Sequence, residues 1–187
     1  MKIYHKLDDD VNINGKIYTV DASFNNILIV IEAINDTRLR EYTKINLILK
    51  LLIDDELNEL NLNDKTNAIE LILSKYIDSD DKNIEYDILG NPLPQIDGNN
   101  DIYMDYDEDG ELIYSSFYQA YGIDLFEMHG KLHWLKFKAL LNGLPPKTKL
   151  MDVIGIRAWK PDDDKKSYKQ MMLELQQKYK LKGGNDE

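Results

Sequence analysis

Three patterns in this chain hold residue types that could do chemistry. The first is DYDEDGELI, Asp105 to Ile113. Asp105, Asp107 and Asp109, then Gly110 and the apolar Leu112, follow the opening of a calcium-binding EF-hand loop. Calcium takes roughly six to eight oxygens, and the last loop position normally supplies a bidentate Glu. Ser116 stands at that position and no apolar helix precedes the run, which reads better as an acidic turn that starts a helix. The second pattern is His129 and His133, with Glu127 nearby. Zinc hydrolases use two His at this spacing, but with Glu directly after the first. Gly130 stands there instead, and no third ligand is visible. The third is a basic patch of Arg157, Lys160, Lys165, Lys166 and Lys169, with Trp159 and Tyr168 interleaved. Aromatics among bases can stack on single-stranded nucleic acid. Asp162 to Asp164 interrupt this patch, so a solvated helix face is the better reading.

Other chemistry leaves weaker traces. Among 34 acidic residues any carboxylate pair can be drawn, so no pair is informative. There is no glycine-rich phosphate loop and no nucleophile elbow. A Ser-His-Asp triad is recognised by geometry, and nothing in the sequence singles one out. With no cysteine, disulfides, thiolate nucleophiles and Cys-based metal sites are excluded. The residues thus point to no enzyme and to no cofactor.

The elements that would position any site follow from patterning. A chain of 187 residues with net charge -11 suits one domain, or one domain with an added piece, and its charge disfavours nucleic acid and anionic membranes. The start MKIYHKLDDD lacks the apolar core of a signal peptide, and no apolar run is long enough to span a membrane. A cytoplasmic protein is expected. Asn14-Gly15 between short β-prone runs predicts a hairpin over Val11 to Val20. Phe24, Ile27, Leu28, Ile31 and Ile34 predict a helix stripe. A second helix is expected over Leu39 to Ile53, with Ile45, Ile48, Leu49 and Leu52 inward. A third starts near Asp64 and carries Ala68, Leu71, Ile72, Lys75 and Tyr76.

Charge, Gly, Pro and Asn from Ser79 predict a long loop, since Pro92 and Pro94 rule out a continuous helix. Beyond it, helices are expected over Glu108 to Tyr121, Leu125 to Asn142 with a break or kink at Gly130, and Lys149 to Trp159 capped by Thr148. A last helix opens at Asp162 to Asp164. The fold class is mainly α: an array of about six to seven helices with a small N-terminal β-hairpin. The expected division is residues 1–78, a loop over 79–104, a helical part over 105–182 and a flexible tail over 183–187. Both tryptophans and Phe117, Phe126 and Phe137 fall between Asp105 and Trp159, which marks that stretch as the main core.

The same stretch carries an ordered series: Asp105-Tyr106, Ile113-Tyr114, Phe117, Tyr121-Gly122-Ile123-Asp124-Leu125, Leu132-His133-Trp134, Lys136-Phe137, Leu140-Leu141, Leu144-Pro145 and Ile154 to Arg157. Ile13 to Tyr18, then Asp21 and Phe24, precede it. This series resembles the bacteriophage gene product fifteen family, found in phages and prophages of Gram-positive bacteria. It covers nearly the whole chain and is weakest over Ile53 to Asn100. One departure is Leu135, where the family often has a second aromatic after Trp134.

The resemblance implies a non-enzymatic protein of the tail region, working in the bacterial host cytoplasm as a tail-assembly chaperone. Its partners would be the tape-measure protein and the tail-tube protein. The alternatives are a structural component of the virion tail and, from the residues, a metal-dependent hydrolase using His129 and His133. The resemblance assigns no cofactor and no residue roles. A chaperone for a helical client needs an apolar surface and a charged exterior. Trp134, Phe137, Leu141 and Trp159 are the candidate protein-binding residues, because aromatic anchors are enriched in interfaces. The competing reading is that all four fill the core.

Overall fold

A computed structural model describes residues 3–76, 103–161 and 166–182. The expected loop over 79–104, apart from its last two residues, lies outside the described residues, as do Asp162 to Asp164 and the tail. Among the described residues, strands β1 (Asp10–Ile13) and β2 (Lys16–Thr19) precede seven helices. These are α1 (Phe24–Asn35), α2 (Glu41–Ile53), α3 (Leu62–Tyr76), α4 (Gly110–Tyr121), α5 (Trp134–Asn142), α6 (Lys149–Ala158) and α7 (Lys166–Lys178). The chain is mainly α with one small antiparallel hairpin.

The hairpin forms because Asn14 and Gly15 take φ of 50° and 85°, the positive pair that a type I′ turn demands. The Asn12 side chain accepts the Gly15 N–H at 2.8 Å and fixes the turn. Val11 then pairs with Tyr18, and Val11, Ile13, Tyr18 and Val20 are all buried.

The chain divides into two compact units. The first comprises the described residues of Met1–Gln95 together with Met128–Ala139. In it α1 packs on α2 and α2 on α3. The α2 stripe is as expected, with Ile45, Ile48, Leu49 and Leu52 buried. The α1 stripe is rotated: Asn26, Val30 and Ala33 are buried with Phe24 and Ile27, while Ile34 is exposed. The cause is Asn26, whose Nδ2 donates to Asp21 O and Leu51 O, both at 2.8 Å. That pair of bonds turns a polar side chain inward and ties α1 to the end of α2. On α3, Leu71 is exposed, while Ile69 and even Lys65 are buried. The Lys65 ammonium reaches Asn46 Oδ1 at 2.8 Å and sits over the Tyr42 ring, so burial covers its stem and not an unpaired charge.

The expected helix over Leu125 to Asn142 is corrected: only Trp134–Asn142 is helical. Gly130 has φ of 67° and its N–H donates to Asn25 Oδ1 at 2.8 Å. The chain next runs extended against the entry to α1. Phe24 N donates to Leu132 O at 2.8 Å and Trp134 N to Ala22 O at 2.7 Å, so Ser23 and His133 face each other in an antiparallel bridge. Two long-range backbone bonds replace what would have been helix. Phe24 and Trp134 both stack on Phe137, with centroids 4.9 and 5.6 Å away.

The second unit comprises the described residues of Ile96–Glu127 and Leu140–Glu187. Here α4 packs on α6 and α6 on α7. Gly122 ends α4 in the left-handed conformation, its N–H bonded to Tyr118 O. Thr148 occupies the N-cap of α6, but its hydroxyl donates back to Pro145 O and makes no side-chain cap. The fully buried Ser116 on α4 accepts the Leu150 N–H at 3.0 Å and does the capping from across the unit.

Candidate protein-binding surface

Of the four residues singled out for partner binding, Trp134, Phe137 and Leu141 are buried, at 2, 1 and 6 % exposure. The Trp134 indole donates to Tyr76 O at 3.0 Å, a buried bond that locks the ring to the end of α3. Trp159 is half-buried and meets Tyr168 edge-on, with centroids 6.2 Å apart. Within this chain the first three fill the interior of their units, and Trp159 alone remains partly open.

His129 and His133 do not share a helix face, because Gly130 and the bridge intervene. His129 is exposed and lies edge-on to Phe24. His133 has both nitrogens committed: Nε2 lies 3.0 Å from Asp9 Oδ1, and Nδ1 accepts the Leu135 N–H at 3.0 Å. That acceptance assigns the proton to Nε2, which donates to Asp9. Asp9 Oδ1 also accepts from Tyr76 OH at 2.9 Å. Burial first, then Asp9, push the Tyr76 phenol well above its ordinary value. Across the bridge, Ser23 Oγ is buried with no hydrogen-bond partner among the described residues. Ser23, His133 and Asp9 have the residue types of a triad but not its wiring, because no His133 nitrogen is left to take the Ser23 proton.

The acidic turn closes on itself. Asp105 Oδ1 accepts the N–H groups of Asp107 and Glu108 at 2.8 and 2.9 Å. Asp109, 1 % exposed, points inward. It meets Arg157 bidentately, Nη1 to Oδ2 at 2.6 Å and Nη2 to Oδ1 at 2.8 Å. Arg157 also donates to Tyr179 O and Tyr103 O. Arg157 is therefore not part of a solvated basic face, and Asp109 does more than favour a helix N-terminus. A cation in this loop would compete with a guanidinium already in place. No group of three or more His, Cys, Asp or Glu side chains is arranged to hold a metal among the described residues.

Sequence reasoning missed the aromatic side chains left outside. Phe126, expected in the core, is 71 % exposed, and Tyr118 is 59 % exposed. Both flank Tyr114, at centroid distances of 5.3 Å for Phe126 and 6.3 Å for Tyr118. Asp124 holds the group together: Oδ1 accepts the Phe126 N–H at 2.9 Å and Oδ2 accepts the Tyr114 hydroxyl at 3.3 Å. The available signal was Asp124 two residues before Phe126, a spacing that favours an Asx-turn over a helix.

No helix among the described residues is long and apolar enough to cross a membrane. Compared with known proteins, residues 4–181 match the family described as Bacteriophage Gp15 protein. No curated protein and no solved structure matches the chain.

Proposed function

This chain belongs to the bacteriophage Gp15 protein family, and we propose that it is a non-enzymatic tail-assembly protein acting as a chaperone. At the coarser level it is a phage structural or assembly protein. In this reading it holds the tape-measure protein, the tail-tube protein or both in the host cytoplasm until the tail tube polymerises. The observation that carries the reading is the span of the family match, which leaves only the first three and last six residues outside. Two physical features support it. Large apolar side chains stay exposed on helices of both units, among them Tyr42 and Leu71 in the first and Tyr118 and Leu173 in the second. A net charge of -11 keeps such a surface, and an apolar client on it, from aggregating. In this reading Trp134, Phe137 and Leu141 are buried packing of their units. Trp159 contributes directly.

The test is co-expression with the tape-measure and tail-tube genes of the same phage, followed by affinity purification of this chain. The expected result is a tape-measure protein that is soluble only in its presence and that co-purifies with it. Equal solubility without it, and no co-purification, refutes the proposal. Mass spectrometry of finished particles separates the structural alternative, since a chaperone is absent from them and a tail component is present in fixed ratio.

A further inference from the structure

A two-stranded hairpin has two edges, and this one treats them unequally. The Val20 N–H donates to Asp9 O at 2.9 Å, which makes Asp9 and Val20 a hydrogen-bonded pair. Bonded and non-bonded pairs alternate along an antiparallel ladder. Val11–Tyr18 and Ile13–Lys16 are therefore bonded, while Asp10, Asn12, Ile17 and Thr19 turn their main-chain groups outward. On β1 the edge is closed at Asp10: Asp8 Oδ1 accepts its N–H and Lys75 donates to its carbonyl, both at 3.1 Å. On β2 the N–H and C=O of Ile17 and Thr19 have no partner among the described residues. Edges are commonly guarded by a lysine, but here Lys16 is folded back, 4.5 Å from the centre of the Tyr18 ring and 3.6 Å from Asp55 Oδ2. The Thr19 hydroxyl also turns away, donating across the hairpin to Asp10 at 2.7 Å. Ile17 is left 67 % exposed.

We propose that β2 pairs with β2 of a second copy of this chain, antiparallel about a two-fold axis at Tyr18. A row of outward main-chain donors and acceptors recognises an extended polypeptide. The outward residues lie symmetrically on either side of Tyr18. Ile17 then faces the second copy's Thr19, and Thr19 the second copy's Ile17, each pair exchanging both main-chain bonds. The same surface is used by both copies, so the contact closes as a dimer. Ile17 and Thr19 are β-branched and meet on the exposed face, a pairing that suits neighbouring strands. Charge selects the edge. Asp8, Asp9 and Asp10 run into β1 and repel a like copy, whereas β2 holds no acid and Asp55 neutralises its Lys16. Two chains of net charge -11 can thus approach through β2 and not through β1. A strand of 4 residues makes a small contact, so the dimer is weak and depends on concentration.

The test is sedimentation of the full chain over a dilution series, with amide hydrogen exchange at its two ends. A monomer–dimer equilibrium is expected. Exchange at Ile17 and Thr19 should slow about tenfold or more as dimer forms, while Asn12, outward on β1, stays unchanged. Ile17→Pro removes an outward N–H and no ladder bond. Ile17→Lys keeps that N–H and sets like charges across the axis. Each should raise the dimer dissociation constant about tenfold or more, and Ile17→Lys more in low salt than in high salt. Retained protection of the Val11 and Tyr18 amides shows that the hairpin of each variant is intact. A chain that stays monomeric throughout overturns the proposal. So does a dimer in which Ile17 and Thr19 exchange as fast as in the monomer, since the contact then lies elsewhere. An assembly that grows past a dimer overturns it too, because a two-fold contact closes. No tail protein enters the measurement, so it can fail while tape-measure capture stands, and the reverse.

Discussion

Arg157→Met is the most decisive test of how the second unit holds together. The Arg157 side chain is 10 % exposed and that of Asp109 2 %, so the substitution strands a carboxylate away from water. It also removes the donors to Tyr103 O and Tyr179 O, at 2.9 and 2.7 Å in the native protein. Breaking one side of a buried pair costs about 3–5 kcal/mol, chiefly through the uncompensated charge. At about 2–4 °C per kcal/mol for a chain of this size, the thermal midpoint should drop by roughly 6–20 °C. The double variant Asp109→Leu/Arg157→Met removes the stranded charge and should be less destabilised than Arg157→Met alone. Circular dichroism melts of the wild type, both single variants and the double variant give the coupling directly. A solvated arginine would change stability by only about 0.5 kcal/mol. If Arg157→Met melts within 2 °C of the wild type, roughly the shift that 0.5–1 kcal/mol produces, the hub is not stabilising. A double variant as weak as the sum of the singles refutes the coupling.

Three further outcomes are expected. Gly130→Ala should destabilise by about 1–2 kcal/mol, because Gly130 sits at φ of 67°; a continuous helix through this position would instead gain about 1 kcal/mol, so the sign in a urea titration decides between them. The raised Tyr76 phenol contributes stability that is complete below its unfolded value of 10.0 and is lost as pH rises above it. Wild-type melting should therefore fall above pH 10, by up to about 1.4 kcal/mol per pH unit for this one proton, and Tyr76→Phe should flatten that fall. Trp134→Ala should cost about 3–5 kcal/mol in chemical denaturation, more than Trp159→Ala; an unchanged fold with lost client capture would restore Trp134 as a direct contact.

What could be read in the sequence was what local chemistry determines alone. Asn14-Gly15 dictates its turn because few other residue pairs take two positive φ angles, and the register follows from it. The α2 stripe is legible because each inward position is aliphatic. Legibility fails where a distant group decides. Asn26 is inward because two backbone carbonyls need its amide, one of them 25 residues away. Asp109 and Arg157 are 48 residues apart, and each alone reads as an ordinary surface charge. His133 leaves the helical pattern because the entry to α1 offers it a backbone partner. The aromatic residues show the same limit. Composition places Phe117 and Phe137 in the core stretch, and both are buried. It assigns Phe126 to the core as well, because composition counts rings without saying which face them. Phe126 is outside because Gly122 ends α4 and Asp124 then takes the Phe126 N–H in a turn. A ring held outside by a carboxylate that also grips its neighbour is placed by polar bonds and not by burial.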